Sequence, residues 1–106
     1  MHEFSFEALD VYKLAVTVAR WMRTTKWPTN ASHLKDQAIR AADSVVLNIS
    51  EGVSRGGKPG ENHLRIAKGS AGEALAALDV ADFPGCAERR AELRRIGAMV
   101  TRLRTR

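Results

Sequence analysis

The sequence predicts an all-α fold, an antiparallel up-down-up-down four-helix bundle that forms a single domain over residues 1–106. Three observations support this prediction. Four segments repeat their apolar residues with a period of 3.6, no segment of useful length alternates with a period of two, and short clusters of glycine, proline and polar residues separate the segments. Helices joined by such short connections pack as antiparallel neighbours.

The first helix is predicted over residues 6–25 and carries two apolar stripes that together form a broad face. A single bundle needs a narrower face than this. The second stripe consists of Val11, Leu14, Val18 and Trp21. We therefore expect Val11, Val18 and Trp21 to remain partly exposed in an isolated chain and to contact another subunit. Pro28 separates this helix from the next.

The second helix is predicted over residues 32–55, with Ser32 as its N-cap. Its apolar stripe runs from Leu34 to Val53. A second stripe is entirely polar and consists of Gln37, Arg40, Ser44, Asn48, Glu51 and Arg55. This stripe either faces water or lines a subunit interface. Serine and asparagine are poor helix formers at mid-helix, and their presence favours the interface.

The third and fourth helices are predicted over residues 61–83 and 87–104. Gly69 and Gly72 lie in the middle of the third helix, where each costs about 1 kcal/mol relative to alanine. We expect a close backbone neighbour to offset this cost. Ser70 and Glu73 share one face, which we interpret as a polar seam at a helix–helix or subunit contact.

The net charge of +5 belongs to the last twenty residues. They contain seven arginines, two glutamates and no lysine, whereas the positive and negative charges of the remaining chain cancel. Arginine suits bidentate recognition of phosphate. The candidates for nucleic-acid binding lie on the half of the fourth helix opposite its core stripe or continue that side, and they are Arg90, Arg94, Arg95, Arg102 and Arg106. The alternative is a solvated face whose cations complement the helix dipole.

Composition excludes several classes of protein. A single cysteine, Cys86, rules out an intramolecular disulfide framework and a multi-cysteine zinc site. No apolar run is long enough to span a membrane, and the N-terminus lacks the basic and apolar layout of a signal peptide. We therefore expect a cytoplasmic protein.

No catalytic, cofactor or metal site is expected. Residues 52–58 read GVSRGGK, which matches the start of a P-loop, but Pro59 stands where magnesium requires Ser or Thr and a helix precedes the motif. The three histidines do not form an i, i+4 ligand pair. His63 and Ser70 lie about 10 Å apart along a helix axis, which is too far for direct proton transfer.

Two motifs resemble those of a known family. The run QAIRAADSVVLNISEGVSR over residues 37–55 is similar to the signature of the bacterial four-helix-bundle proteins, also called ribosomal-RNA intervening-sequence proteins. The run IAKGSAGE over residues 66–73 is similar to a second motif of that family. The resemblance implies an antiparallel bundle, a ring of five bundles, no enzymatic activity and no defined biochemical role. The accessory protein of diversity-generating retroelements resembles the family distantly, and it binds nucleic acid through a basic ring surface.

These observations predict a non-enzymatic homo-oligomer that binds RNA or DNA phosphates through its fourth helix. The alternative is an assembly module that scaffolds a protein partner and binds no nucleic acid. Neither interpretation requires a cofactor, a small-molecule substrate or a membrane. The candidate interface residues are Val11, Val18, Trp21, Gln37, Arg40, Ser44, Asn48, Glu51, Arg55, Ser70 and Glu73.

Overall fold

A computed structural model describes residues 4–104 and confirms the all-α four-helix fold. The described residues contain no β-strand. Two short 3₁₀ helices, Ser5–Ala8 and Thr29–Ala31, precede the first and second α-helices. The four long helices are α1 (Asp10–Thr24), α2 (Ser32–Arg55), α3 (Gly57–Ala81) and α4 (Cys86–Arg104).

The predicted helix bounds are accurate for α2 and α4 and less so for α1 and α3. Leu9 is extended, with φ −75° and ψ 133°, so a 3₁₀ turn precedes α1 instead of a continuous helix. α3 begins at Gly57 rather than at residue 61, because Gly56 and Gly57, which both have positive φ, make the turn from α2. Gly56 has φ 66° and ψ 177°, a backbone conformation that glycine adopts without strain.

Consecutive helices pack side by side, and α4 closes the bundle against α1. The hydroxyls of Ser44 and Ser70 share a hydrogen bond of 2.8 Å, and Asn48 bonds to His63 at 2.9 Å. Since residue numbers rise on one helix as they fall on the other, these contacts show that α2 and α3 are antiparallel. The α2–α3 contact is the most extensive in the bundle.

The core consists mainly of alanine and medium-sized aliphatic side chains. Met22, Ile49, Leu78 and Ile96 are fully buried, one from each long helix. The predicted apolar stripe of α2 is confirmed at its central positions, where Ala38, Ala42, Val45 and Ile49 are buried. The prediction of partial exposure on α1 is wrong for Val11 and Val18, which are buried within the single chain, whereas Trp21 remains partly exposed as predicted.

Glycine does permit a close helix contact, but not at the predicted positions. Gly69 and Gly72 have open space where a Cβ atom would stand. The close approach is instead between Gly52 of α2 and Gly60 of α3, where a Cβ on Gly60 would overlap the Gly52 carbonyl oxygen. The expected close neighbour of Gly69 and Gly72 is therefore absent from residues 4–104.

Aromatic side chains close the end of the bundle near the α3–α4 connection. Trp27 is buried and donates a hydrogen bond from Nε1 to the Met22 carbonyl oxygen at 2.9 Å. Trp21 stacks on Phe83 with ring centroids 5.8 Å apart. Trp21 therefore serves packing within the chain, although part of its surface remains accessible.

Over the part of the chain that the structure describes, no helix combines the length and apolar character that a membrane span requires.

Candidate nucleic-acid interface and subunit interface

Several α4 arginines bind other parts of the bundle. Arg90 donates from Nη1 to the carbonyl oxygen of Leu78 at 3.1 Å and to Asp82 at 3.2 Å, and its side chain is 19% exposed. It therefore adds a second hydrogen bond to a carbonyl that already accepts from Asp82 N–H at the C-terminal end of α3, where the helix dipole favours a cation. The expectation that Arg90 lies on the open side of α4 is wrong.

Arg89 and Arg104 likewise have partners within the chain. The Arg89 guanidinium lies 5.5 Å from the centre of the Trp21 ring and pairs with Glu92 at 2.6 Å. Arg104 lies 3.7 Å from Glu61 of α3. These two arginines and Arg90 hold α4 to its neighbours.

The remaining candidates on α4 form an exposed surface. Arg94, Arg95 and Arg102 are exposed, and so are Ala91 one turn before them and Ala98 between Arg95 and Arg102. Because alanine is short, it leaves room for a bulky polyanion to approach the guanidinium groups. Arg106 lies outside the described residues.

Two further groups contribute to the charge of this surface. Lys68 of α3 donates a hydrogen bond to the Thr101 hydroxyl of α4 at 2.7 Å, which places a cation at the α3 edge. The sequence alone did not identify Lys68, because its contact with Thr101 depends on the register of α3 against α4. At the α1 edge, Arg102 and Asp10 line the same shallow depression. We name Lys68, Arg94, Arg95 and Arg102 the α4 basic surface.

Substitution of Arg90 tests whether this residue contributes to the stability of the fold rather than to nucleic-acid binding. Arg90→Ala removes a charged hydrogen bond and a favourable dipole interaction at the end of α3, so we expect a loss of about 1–2 kcal/mol in the free energy of unfolding. Urea denaturation measures this loss. Nucleic-acid affinity should change by less than about threefold, since the lost binding energy would be below 1 kcal/mol. An unchanged unfolding midpoint with a large loss of binding would contradict this assignment.

The polar stripe of α2 faces α3 over part of its length. Asn48 Nδ2 donates to the Ser44 carbonyl oxygen at 2.9 Å, and Asn48 Oδ1 accepts from His63 Nδ1. Ser44 in turn bonds to Ser70. These four half-buried side chains form a polar seam within one chain, as the helix–helix alternative for Ser70 anticipated. Hydrogen bonds within the bundle therefore explain why serine and asparagine occur at mid-helix here. The interface prediction for Ser44, Asn48 and Ser70 is no longer supported by that composition.

Other members of the stripe remain exposed. Glu51 and Arg55 form an ion pair at 2.6 Å. The Arg55 guanidinium, through its hydrogen bond and charge, lowers the pKa of Glu51 below its usual range; desolvation opposes this, and His63 adds a smaller lowering. Gln37 and Arg40 of α2 and Glu73 of α3 are also exposed.

The premise for an interface on α1 is also wrong. Val11 and Val18 are 3% and 1% exposed in the single chain, so they offer no surface to a neighbour. Trp21 is half-buried between Phe83 and Arg89. Val11 and Val18 are therefore covered by the rest of their own bundle, whereas Trp21 keeps part of its surface accessible.

The arrangement offers no coupled set of catalytic groups in the region described. Asn48 and Ser44 lie between His63 and Ser70, and Cys86 is fully buried. Residues 4–104 contain no group of three or more His, Cys, Asp or Glu side chains placed to hold a metal ion. Residues 52–58 form the end of α2, the turn at Gly56 and the start of α3.

Sequence reasoning missed three exposed aliphatic side chains. Leu47 is 63%, Ile66 44% and Val80 73% exposed. Leu47 lies on α2 and borders a groove between α1 and α2, whereas Ile66 and Val80 lie on the outer face of α3. Helical periodicity places Ile66 and Val80 on the side of α3 that carries Glu73, but it does not show that these side chains are uncovered.

Comparison with known proteins identifies one family. The family model described as "23S rRNA-intervening sequence protein" matches residues 7–101. No significant match was found among curated proteins or among solved structures.

Proposed function

The chain belongs to the 23S rRNA-intervening sequence protein family, and from this premise we propose that it is a non-enzymatic homo-oligomer that binds RNA or DNA phosphates through the α4 basic surface. The oligomer proposed is the ring of five that the family resemblance implies. The ligand proposed is the sugar-phosphate backbone rather than a particular base sequence.

The exposure of Arg94, Arg95 and Arg102 is the observation that carries this proposal. Arg90 and Arg104 of α4 are less exposed, because they contact backbone or acidic groups of α3. Arg94, Arg95 and Arg102 project from one helix with Ala91 and Ala98 beside them, and Lys68 extends their charge toward α3. Guanidinium groups in such an arrangement can each donate two parallel hydrogen bonds to a phosphate.

A surface of this kind favours binding with little sequence preference. Base stacking needs exposed aromatic rings beside the cations, whereas Trp21 and Trp27 pack around Phe83 at the end of the bundle. Phosphate contacts position a nucleic acid but do not read its bases. Repetition of the surface around a ring would strengthen binding through multivalency.

A scaffold for a protein partner is the second candidate. The exposed side chains of Leu47, Ile66 and Val80 favour it, because apolar groups left uncovered on a small domain often mark contact sites. A scaffold would not need the α4 basic surface to contact phosphate. The two candidates therefore differ in one measurable property, the affinity for a polyanion at low salt.

Two measurements test the proposal. Light scattering of the purified protein gives its mass in solution, and we expect a mass near five times 11.6 kDa. Fluorescence anisotropy with a labelled RNA duplex and a labelled DNA duplex gives affinity at low salt. A monomeric mass would contradict the proposed oligomer. If neither duplex binds at low salt, the result would favour the scaffold.

A further inference from the structure

We propose that one copy of this chain contacts the next head to tail, with the outer face of α3 packed on the groove between α1 and α2. The contact is heterologous, meaning that each copy uses two different surfaces. This inference rests on the self-association proposed above and names the surfaces that produce it. It replaces Val11, Val18 and Trp21 of α1 and most of the polar stripe of α2 as the predicted interface residues.

The first surface is an apolar groove of about 430 Å³ between α1 and α2. Val16 and Ala19 line its α1 wall, and Val46 and Leu47 line its α2 wall. Arg23 and Asp43 pair across the groove, whereas Arg20 lines it without a side-chain ion pair or hydrogen bond to any residue from 4 to 104. The groove therefore combines aliphatic walls with an arginine, Arg20, that can pair with an acidic side chain of another copy.

The second surface is a shallow strip along α3. Ile66 and Val80 mark its ends, fourteen residues or about 21 Å apart along the helix axis. Gly69 and Gly72 lie between them in sequence, and Gly69 is on the side of α3 that carries Ile66 and Val80. Apart from the local helix backbone, neither glycine has an atom within 4 Å of where a Cβ would stand. Another helix can therefore approach the α3 backbone closely between the two aliphatic ends.

The charges of the two surfaces are complementary. Glu73 lies midway along the α3 strip, seven residues from each end, and is exposed. Its carboxylate has no ion pair or hydrogen bond within the described chain. Arg20 lines the groove, and Arg40 is exposed on the adjoining face of α2. Opposite charges across an interface fix its register and disfavour wrong partners.

A closed ring of more than two copies requires each copy to carry two different contact surfaces. A contact between identical patches closes at two copies, whereas a head-to-tail contact repeats around an axis until the ring closes. The groove and the α3 strip involve α1, α2 and α3, so the outer face of α4 remains uncovered. Arg94, Arg95 and Arg102 therefore stay accessible in the assembled protein.

Two substitutions test this contact from its two sides. Leu47→Glu places a charge in the groove, and Val80→Glu places one on the α3 strip. Because both residues are largely exposed, neither change should alter the helical circular dichroism or the unfolding midpoint of the isolated chain. We expect each variant alone to self-associate at least about a hundredfold more weakly, since burying an unpaired carboxylate is strongly unfavourable. Ala87→Glu, at an exposed position on α4, is the control and should assemble normally.

Mixing the two variants provides the decisive result. The Leu47→Glu chain retains an intact α3 strip, and the Val80→Glu chain retains an intact groove. An equimolar mixture should therefore form a one-to-one heterodimer, which analytical ultracentrifugation detects as a doubled mass. Individually monomeric variants that remain monomeric when mixed would overturn the head-to-tail contact.

The remaining outcomes separate this inference from the proposed function. If the unmodified protein is monomeric, both the proposed oligomer and this contact are wrong. If the unmodified protein is oligomeric and both variants assemble as it does, only the assignment of these surfaces is wrong. An Ala87→Glu control that also dissociates would show that added charge alone disrupts assembly, which would likewise contradict the assignment.

Discussion

We expect the triple variant Arg94→Glu, Arg95→Glu and Arg102→Glu to bind nucleic acid about a thousandfold more weakly than the unmodified protein at low salt. Each arginine donates a charge-assisted hydrogen bond worth about 1.5 kcal/mol or more, so three lost contacts exceed 4 kcal/mol. All three side chains are exposed, and the bundle should therefore retain its helical content. Anisotropy titration of a labelled duplex measures the change.

A control variant distinguishes the effect of the α4 basic surface on affinity from the effect of the net charge. Lys26, Lys35 and Lys58 lie outside the α4 basic surface, in or near the connections that begin α2 and α3. Replacing these three lysines by glutamate lowers the net charge by the same amount as the triple arginine variant. We expect this control to lose less than tenfold in affinity. Equal losses for the two triple variants would show that net charge, and not the α4 basic surface, determines binding.

Gly60→Ala should destabilise the fold by about 1–3 kcal/mol, the usual cost of overpacking. The new Cβ would overlap the Gly52 carbonyl oxygen, and both groups belong to helix backbone. Relief requires α2 and α3 to move apart, which loosens the most extensive helix contact of the bundle. This cost should exceed the gain of about 1 kcal/mol that alanine normally brings to a helix interior.

Gly97→Ala is the matched control for this change. Gly97 lies inside α4 and has open space where a Cβ would stand. Alanine there should stabilise the protein by about 0.5–1 kcal/mol, because it reduces the freedom of the unfolded chain. Urea denaturation measures both variants. Stabilisation of both would contradict the close α2–α3 contact.

The fold could be predicted from the sequence because the apolar periodicity and the breaker residues agree with one another. The apolar period of 3.6 predicts each long helix, and breaker residues locate most of the ends. The turn at Gly56 was harder to predict, since the glycine-rich segment from Gly56 to Gly60 reads as a loop although α3 begins at Gly57. Which glycine meets a neighbouring helix depends on helix register, and sequence spacing does not reveal that register.

The candidate surfaces were less predictable for a related reason. Arg90 and Arg94 lie one turn apart on α4 and look equivalent on a helical wheel, yet Arg90 bonds to the end of α3. Ser44 and Asn48 were expected to meet another subunit, but their partners are Ser70 and His63 of the same chain. A helical period shows which residues share a face, whereas the helix covering that face follows from tertiary packing.

The salt dependence of binding tests the central claim most directly. The unmodified protein is titrated with a labelled RNA duplex at several sodium chloride concentrations, and the logarithm of the binding constant is plotted against the logarithm of the salt concentration. Contacts from Arg94, Arg95 and Arg102 to three phosphates predict binding at low salt and a slope of about −3 or steeper. Binding whose slope is near zero, or no binding at low salt, would contradict the account.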